Sequence, residues 1–384
     1  MQDIVIAPEA QILSPPAAPQ PVVERFQFTG KTGEYFGIWI VNLFLTIVTL
    51  GIYSAWAKVR KKRYFYGNMW VAGANFDYHG NPIAILKGRI LAFGAFAAYT
   101  LAGQYSPKTA AMVALVFMPA IPWLVTRSFA FNAVNTSYRN LRFHFHATYR
   151  EGLAAVWPIV IFPVLALVLP QIDPQKPQEV TSAMMWGVFL PPLAFALFYP
   201  YIVARVNRLH VDNARYGTAP FAMSAKTSEF YVVYVIAIAL IVAIAIVMGL
   251  LGASMFFAPK YLAPLVPIVL FAVYILGFSA IFGFTRAKVG NLVLGSTRLG
   301  GQVRFPSTLK VRPLARIYVT NALAIVFSLG LAIPWAAIRV ARYRAECLAL
   351  DCEGGMESFA AAVAATVTAT GEEMGDMFAV DLSL

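Results

Sequence analysis

Two asparagines and five arginines are the residues of this chain whose type and spacing could do chemistry. Asn42 and Asn321 lie inside charge-free apolar runs, at matching places in two copies of one pattern. Asn42, Leu50, Gly51, Trp56, Arg60 and Tyr64 recur at a constant offset as Asn321, Leu329, Gly330, Trp335, Arg339 and Tyr343. A carboxamide carries both donors and an acceptor, so at membrane depth it can bond a passing solute or backbone groups freed by a bend. Gluing two helices together is the commoner use of such a residue. Each of the five arginines follows an aromatic residue by four positions: Trp56/Arg60, Trp123/Arg127, Tyr201/Arg205, Phe282/Arg286 and Trp335/Arg339. On a helix this spacing puts ring and guanidinium on one face, where the ring suits a headgroup boundary and the cation can reach phosphate. These are the candidate lipid-headgroup residues.

Other chemistry finds less support. None of the 18 acids falls inside a predicted full span, which argues against proton-coupled transport. His79, His144, His146 and His210 all fall in hairpin regions and would make a metal site only if the hairpins converged; exposed strand histidines are commoner, so no metal is expected. Cys347 and Cys352 are too few for a disulfide framework or a four-ligand zinc site. The chain carries no zinc-protease, nucleophile-elbow, Walker or dinucleotide fingerprint, so neither enzyme activity nor a cofactor is expected. With 59% hydrophobic and 12% charged residues, against roughly a quarter charged in soluble domains, this composition belongs to a multi-span membrane protein. The net charge of +12 sits at the ends of apolar runs, as positive-inside topology requires, and forms no basic domain for nucleic acid.

The elements that must position these residues fall into five units. Phe is followed eight positions later by Glu in Phe26/Glu34, Phe143/Glu151 and Phe221/Glu229, and each unit closes on one of the aromatic/Arg pairs. An Asn then follows Arg by eight positions and a Phe by sixteen: Arg60, Asn68, Phe76; Arg127, Asn135, Phe143; Arg205, Asn213, Phe221. The fourth unit has three extra residues between Arg286 and Phe305. Alternating segments such as WVAGANFDYHG predict β-hairpins between the membrane elements. The expected fold is therefore an all-α polytopic membrane protein: three transmembrane helical hairpins, plus two related elements that re-enter or cross once, joined by small cytosolic β-hairpins.

Six spans are expected, at about 86–104, 110–130, 152–169, 184–206, 230–251 and 263–284, each near the roughly 20 residues a helix needs to cross. Pro107, Pro174 and Pro259 mark the loops between partners, which carry only Lys108, Lys176 and Lys260 of the 30 bases. That bias puts the β-hairpins and both termini in the cytosol. The short first and last units each hold one apolar run, favoured as re-entrant with bends at Leu50-Gly51 and Leu329-Gly330, and are expected to pack as a pseudo-symmetric pair. Residues 1–24 read as a disordered proline-rich lead-in, 25–350 as the membrane domain and 351–384 as an acidic tail.

EYFGIWIVN, TLGIYSAWAKVR, RYFYGN and FDYHGNP in the first unit, with the later GSTRLGG, RIYVTNALAI, LGLAIPWA and GEEMGDMF, resemble the YjgN family of bacterial inner-membrane proteins, DUF898. The resemblance covers nearly the whole chain after the lead-in and implies a multi-pass protein of the bacterial inner membrane. It brings no established activity, and no functional residue comes with it. From the residues, the leading expectation is a transporter or pore for an unidentified solute; a membrane-organising or lipid-binding structural protein is the alternative. Membrane lipids are the expected partners, a homo-oligomer is compatible with the sequence, and nucleic acid is not expected.

Overall fold

A strand leads into two antiparallel helical segments and back to a strand, and the chain uses this arrangement five times. The computed structural model describes residues 21–170, 182–254, 256–257 and 264–370. Pro21–Arg25 (β1) and Gln27–Phe28 (β2) form one strand interrupted at Phe26, and α1 (Thr32–Val48) and α2 (Ser54–Gly67) return the chain to β3 (Met69–Val71) and β4 (Ala74–Tyr78). α3 (Pro82–Tyr105), α4 (Pro107–Phe117) and α5 (Ala120–Val134) lead to β5 (Thr136–Tyr138) and β6 (Leu141–Phe145). The third unit runs through α6 (Tyr149–Val156), a 3-10 turn (Trp157–Val160), α7 (Ile161–Val168) and α8 (Ser182–Asp212) to β7 (Ala214–Tyr216) and β8 (Ala219–Met223). α9 (Thr227–Ser254) and α10 (Leu265–Ser296) lead to β9 (Thr297–Leu299) and β10 (Val303–Arg304). α11 (Val311–Phe327), α12 (Ile333–Glu346), β11 (Ala349–Glu353) and α13 (Met356–Thr370) are the last of the described elements.

The strands do not stay as separate hairpins, and this corrects the all-α expectation. They form one eleven-stranded sheet in the order β1-β11-β10-β9-β8-β7-β6-β5-β4-β3-β2, with antiparallel neighbours. Its first and last members, β1 and β2, are consecutive in the chain, so the sheet closes on itself as a ring. The fifth hairpin of that ring is assembled from the two ends of the protein, with Glu24 opposite Leu350. An isolated hairpin is marginal in water and leaves both edges unpaired. Joining five edge to edge removes every edge and buries one face of each.

Local sequence accounts for the hairpin details. The two-residue loops Ala72-Gly73 and Arg139-Asn140 have positive φ at both positions, the backbone that matches the twist of paired strands. Asn68, Asn135 and Asn213 end α2, α5 and α8, each donating its side-chain amide to the carbonyl four residues back. The backbone carbonyls of the same three residues accept from Thr29, His79 and His146 of the preceding hairpin. In the fourth unit two extra residues precede β9, α10 running on through the place of the Asn cap, and one more enters the 300–302 turn, which accounts for the three additional positions.

The helices stand in the circular order set by the sheet. α2 packs on α3, α5 on α6, α8 on α9, α10 on α11, and α12 on α1. Among the described residues, five helical stretches are long and apolar enough to cross a membrane (α3, α6 through α7, α8, α9 and α10), six if α4 and α5 count as one span. That pair is bent by 50°, so the expected 110–130 span is broken between Phe117 and Ala120, where Pro119 cannot donate a helical hydrogen bond. The expected 152–169 span is interrupted by the 3-10 turn at Pro158. Pro174, Lys176, Pro259 and Lys260 lie outside the described residues, and Lys108 opens α4. The domain boundaries also move. Pro21–Glu24 belong to β1 and Asp351–Glu353 to β11, so both cuts fall inside paired strands. The remaining lead-in and GEEMGDMF lie outside the described residues.

Candidate functional site

At the centre of the ring, the marker phenylalanines of the five units meet. Phe26, Phe76, Phe143, Phe221 and Phe305 stand side by side, with ring centroids 6.4, 6.5, 6.2 and 6.1 Å apart along the series. The ladder sets Phe76, Phe143 and Phe221 opposite Tyr138, Tyr216 and Leu299, which form a second, fully buried tier. The Tyr138 hydroxyl donates to the Val71 carbonyl at 2.9 Å, and the Tyr216 hydroxyl to the Tyr138 carbonyl at 3.0 Å, tying three hairpins together. Burial pushes both phenols above their ordinary pKa, and raises Tyr78 on the rim to about 12.

α13 covers this second tier. Met356, Phe359, Ala360 and Val363 join the same apolar cluster, and Arg139 meets Glu357 at 3.9 Å. Gly217 and Gly300 have positive φ, and a β-carbon on either would press against Val363 or Phe359. They leave room for the cap.

The two short units are helical hairpins that turn back to the sheet. Their tips carry the predicted bends: Leu50 and Gly51 have φ of 49° and 93°, Leu329 and Gly330 of 51° and 95°. Here the side chains that satisfy the turn are not the asparagines, as expected, but hydroxyls. Thr49 Oγ1 accepts from the Tyr53 amide, and Ser328 Oγ from the Ala332 amide, both at 2.9 Å. The Gly51 and Gly330 amides donate back to the Thr46 and Ile325 carbonyls, and the Leu50 and Leu329 amides to those of Ile47 and Val326, the paired bonds of a Schellman helix end.

Asn42 and Asn321 instead meet the arginines of their own hairpins. Arg60 donates to Asn42 Oδ1 at 3.3 Å and to the Tyr53 hydroxyl at 3.1 Å. Arg339 donates to Asn321 Oδ1 at 3.2 Å and to Thr320 Oγ1 at 2.6 Å, while Asn321 donates to the Ala336 carbonyl. Both asparagines are buried. Two residue sets read separately from the sequence therefore form one interhelical clasp; their identical separation of eighteen residues is the signal that could have joined them. α1 packs on α12, so the two short hairpins are neighbours.

In the other candidate pairs the guanidinium lies over its own aromatic ring: Arg127 on Trp123, Arg205 on Tyr201, Arg286 on Phe282 and Arg339 on Trp335, at 5.8, 5.4, 4.9 and 5.1 Å. Trp56 stacks on Tyr53 instead. A further set of arginines, three positions on, links successive units. Arg63 and Arg342 donate to the Tyr78 and Gly30 carbonyls at 3.5 and 3.4 Å, and Arg208 to that of Ala225. Along α11 and α12 runs a groove of about 710 Å³ that the sequence reading missed, lined by Arg312, Arg316, Thr320, Trp335 and Arg339. The histidines have separate surroundings: His79 shares a hydrogen bond with Ser137, His144 stacks near His146, and His210, on α8 and not in a hairpin as expected, lies flat on Phe129. Among the described residues, no three His, Cys, Asp or Glu side chains are placed to hold a metal ion.

A ring of β-hairpins bearing a circle of long apolar helices is an architecture consistent with a polytopic membrane protein. The chain belongs to the DUF898 family, described as bacterial proteins of unknown function, whose model matches residues 23–377. It is similar to the inner membrane protein YjgN of Salmonella typhimurium, with 25% identity over 346 residues, covering 83% of this chain and 86% of that protein. YjgN of Escherichia coli O157:H7 is 32% identical over 144 residues, which cover 36% of this chain and 35% of the relative, and that of strain K12 is 31% identical over 144 residues. No solved structure matches the chain.

Proposed function

We propose that this inner-membrane protein binds lipid, with its helices as a single-layer wall around apolar chains and its sheet ring in the cytosol. The carrying observation is the bareness of the wall. Within the most apolar eighteen residues of each candidate span, between 0 and 28% are buried. Beyond Ile238, α9 is exposed around its circumference except along the stripe of Ile244, Met248, Leu251 and Gly252, where Ile244 meets Gly277 of α10. A helix in a single-layer circle has one face outward and one inward. When both are apolar, the enclosed side suits acyl chains and not water. The aromatic tiers and α13 close the sheet end against an aqueous path.

The crowding of bases near the sheet supports a cytosolic ring, and with it cytosolic termini and two re-entrant short hairpins. The transporter or pore expected from the sequence keeps one supporting observation: the five phenylalanines stand around the axis as a hydrophobic constriction that could gate by dewetting. One preparation separates the readings. The protein is extracted in mild detergent, its retained lipids are counted by native mass spectrometry, and the same protein in proteoliposomes is tested for solute flux. Several tightly held lipids and no flux are expected; flux without retained lipid would replace the lipid reading with the pore.

A further inference from the structure

The groove on the last helical hairpin is lined with cations. Arg312 and Arg316 stand one turn apart on α11, Arg339 faces them from α12, and Trp335 lies at the other end. A second hollow of about 380 Å³ shares Trp335 and Arg339 and adds Arg342. Ion pairs among the described residues join only Lys31 to Glu34 and Arg139 to Glu357. The Arg312 and Arg316 guanidinium groups have neither a hydrogen-bond nor an ion-pair partner there. Arg339, in contrast, is already oriented by Thr320, Asn321 and the Trp335 ring.

Helix stability does not explain these bases. Lys310, Arg312 and Arg316 crowd the N-terminal end of α11, whose first turn holds no acid. Cations at that end oppose the helix dipole. Nor does the hairpin frame require them, because the first hairpin has Gly33 and Gly37 at the positions of Arg312 and Arg316 by the offset that aligns Asn42 with Asn321. A β-carbon on either glycine would meet nothing within 4 Å.

We propose that this groove is an anion site for the phosphate of a negatively charged membrane lipid, held by the Arg312, Arg316 and Arg339 guanidinium groups, with Trp335 against the lipid's glycerol region. Planar guanidinium forks match phosphate oxygens, and an indole suits the boundary between headgroup and acyl chain. The inference rests on the lipid reading above and narrows it to a headgroup class.

The test uses the full chain in neutral detergent, titrated with phosphatidylglycerol, phosphatidylcholine or inorganic phosphate and read by native mass spectrometry. Phosphatidylglycerol should bind in preference to the other two. The paired change Arg312→Gln/Arg316→Gln should weaken it about 30-fold, from about 1 kcal/mol per arginine, while bound phosphatidylcholine stays unchanged. The reciprocal pair Gly33→Arg/Gly37→Arg should create a second phosphatidylglycerol site, a gain that a misfolded variant would not produce. Inorganic phosphate competing as well as the lipid would overturn the lipid source and assign the groove to a soluble phosphate. Phosphatidylglycerol binding unchanged by the glutamines, with neutral lipid still retained, would overturn this site and leave the lipid reading standing. A wild-type protein that holds no lipid of either kind would end both.

Discussion

In the first helical hairpin Arg60 bridges Asn42 and Tyr53; in the last, Arg339 bridges Asn321 and Thr320 across the same eighteen residues. Both tips turn through a left-handed Leu-Gly pair closed by a hydroxyl. Outside this common frame the two diverge: the face of α1 with Gly33 and Gly37 corresponds to the face of α11 with Arg312 and Arg316. The clasp and tip thus define what a short hairpin needs to stand, while the arginines show what one of them carries beyond that need. Neighbouring packing also differs, since α11 is pressed against α10 where Gly283 approaches Ala315.

That last contact offers the largest effect. A β-carbon on Gly283 would lie 2.5 Å from the Ala315 α-carbon, so Gly283→Leu must part α10 from α11. The expected loss is about 3 kcal/mol in chemical unfolding, with the last hairpin released and the first retained under limited proteolysis. Next comes the clasp itself. Asn321→Ala removes a donor to Ala336 as well as the acceptor of Arg339, and should cost about 2 kcal/mol; Asn42→Ala, which loses the Arg60 bond, should cost about 1 kcal/mol. Equal losses by thermal denaturation would mean that the two clasps are energetically alike.

Smaller effects set the sheet ring apart from both hairpins. Tyr138→Phe should cost about 1 kcal/mol through its lost bond to Val71. Tyr78 titrates near 12 when folded against 10 when unfolded, so its contribution is complete below pH 10 and disappears as pH rises from 10 to 12. Circular dichroism should therefore report loss of the sheet across that alkaline window, and a sheet signal flat to pH 12 would contradict it. The smallest change is at the tips. Leu50 and Leu329 hold positive φ while 95% exposed, so replacing either by Gly should stabilise the detergent-solubilised protein by up to about 0.5 kcal/mol, equally in both hairpins.

The five-unit plan was legible because each unit is punctuated by residues with fixed jobs. The marker Phe fills the ring axis, the Asn caps a helix, and the aromatic/Arg pair shares a helix face. Ring closure was not legible, because strands of two to five residues carry little periodicity, and the pairing of β1 with β11 joins residues from opposite ends of the chain. The clasps were half visible. Pattern alone marks both Asn42 and Arg60, but it points one to the membrane interior and the other to headgroups, and only the fold brings a residue of α1 against one of α2. Arg312 and Arg316 left no mark, since bases beside an apolar run look like any positive-inside flank until the glycines of the first hairpin are set beside them.

Synthesis of this protein leaves its fifth hairpin until the end. β1 is the first strand of the ring to leave the ribosome and β11 the last, so through nearly the whole of synthesis β1 presents an unpaired edge and the ring stays an open arc. Each intermediate hairpin can add to the growing arc, but the circle is sealed only when β11 arrives. A truncation before Ala349 should therefore do more than remove a strand. It would leave β1 and β10 as two sticky edges on one molecule, able to join the edges of other truncated chains into assemblies that the untruncated chain avoids by closing on itself.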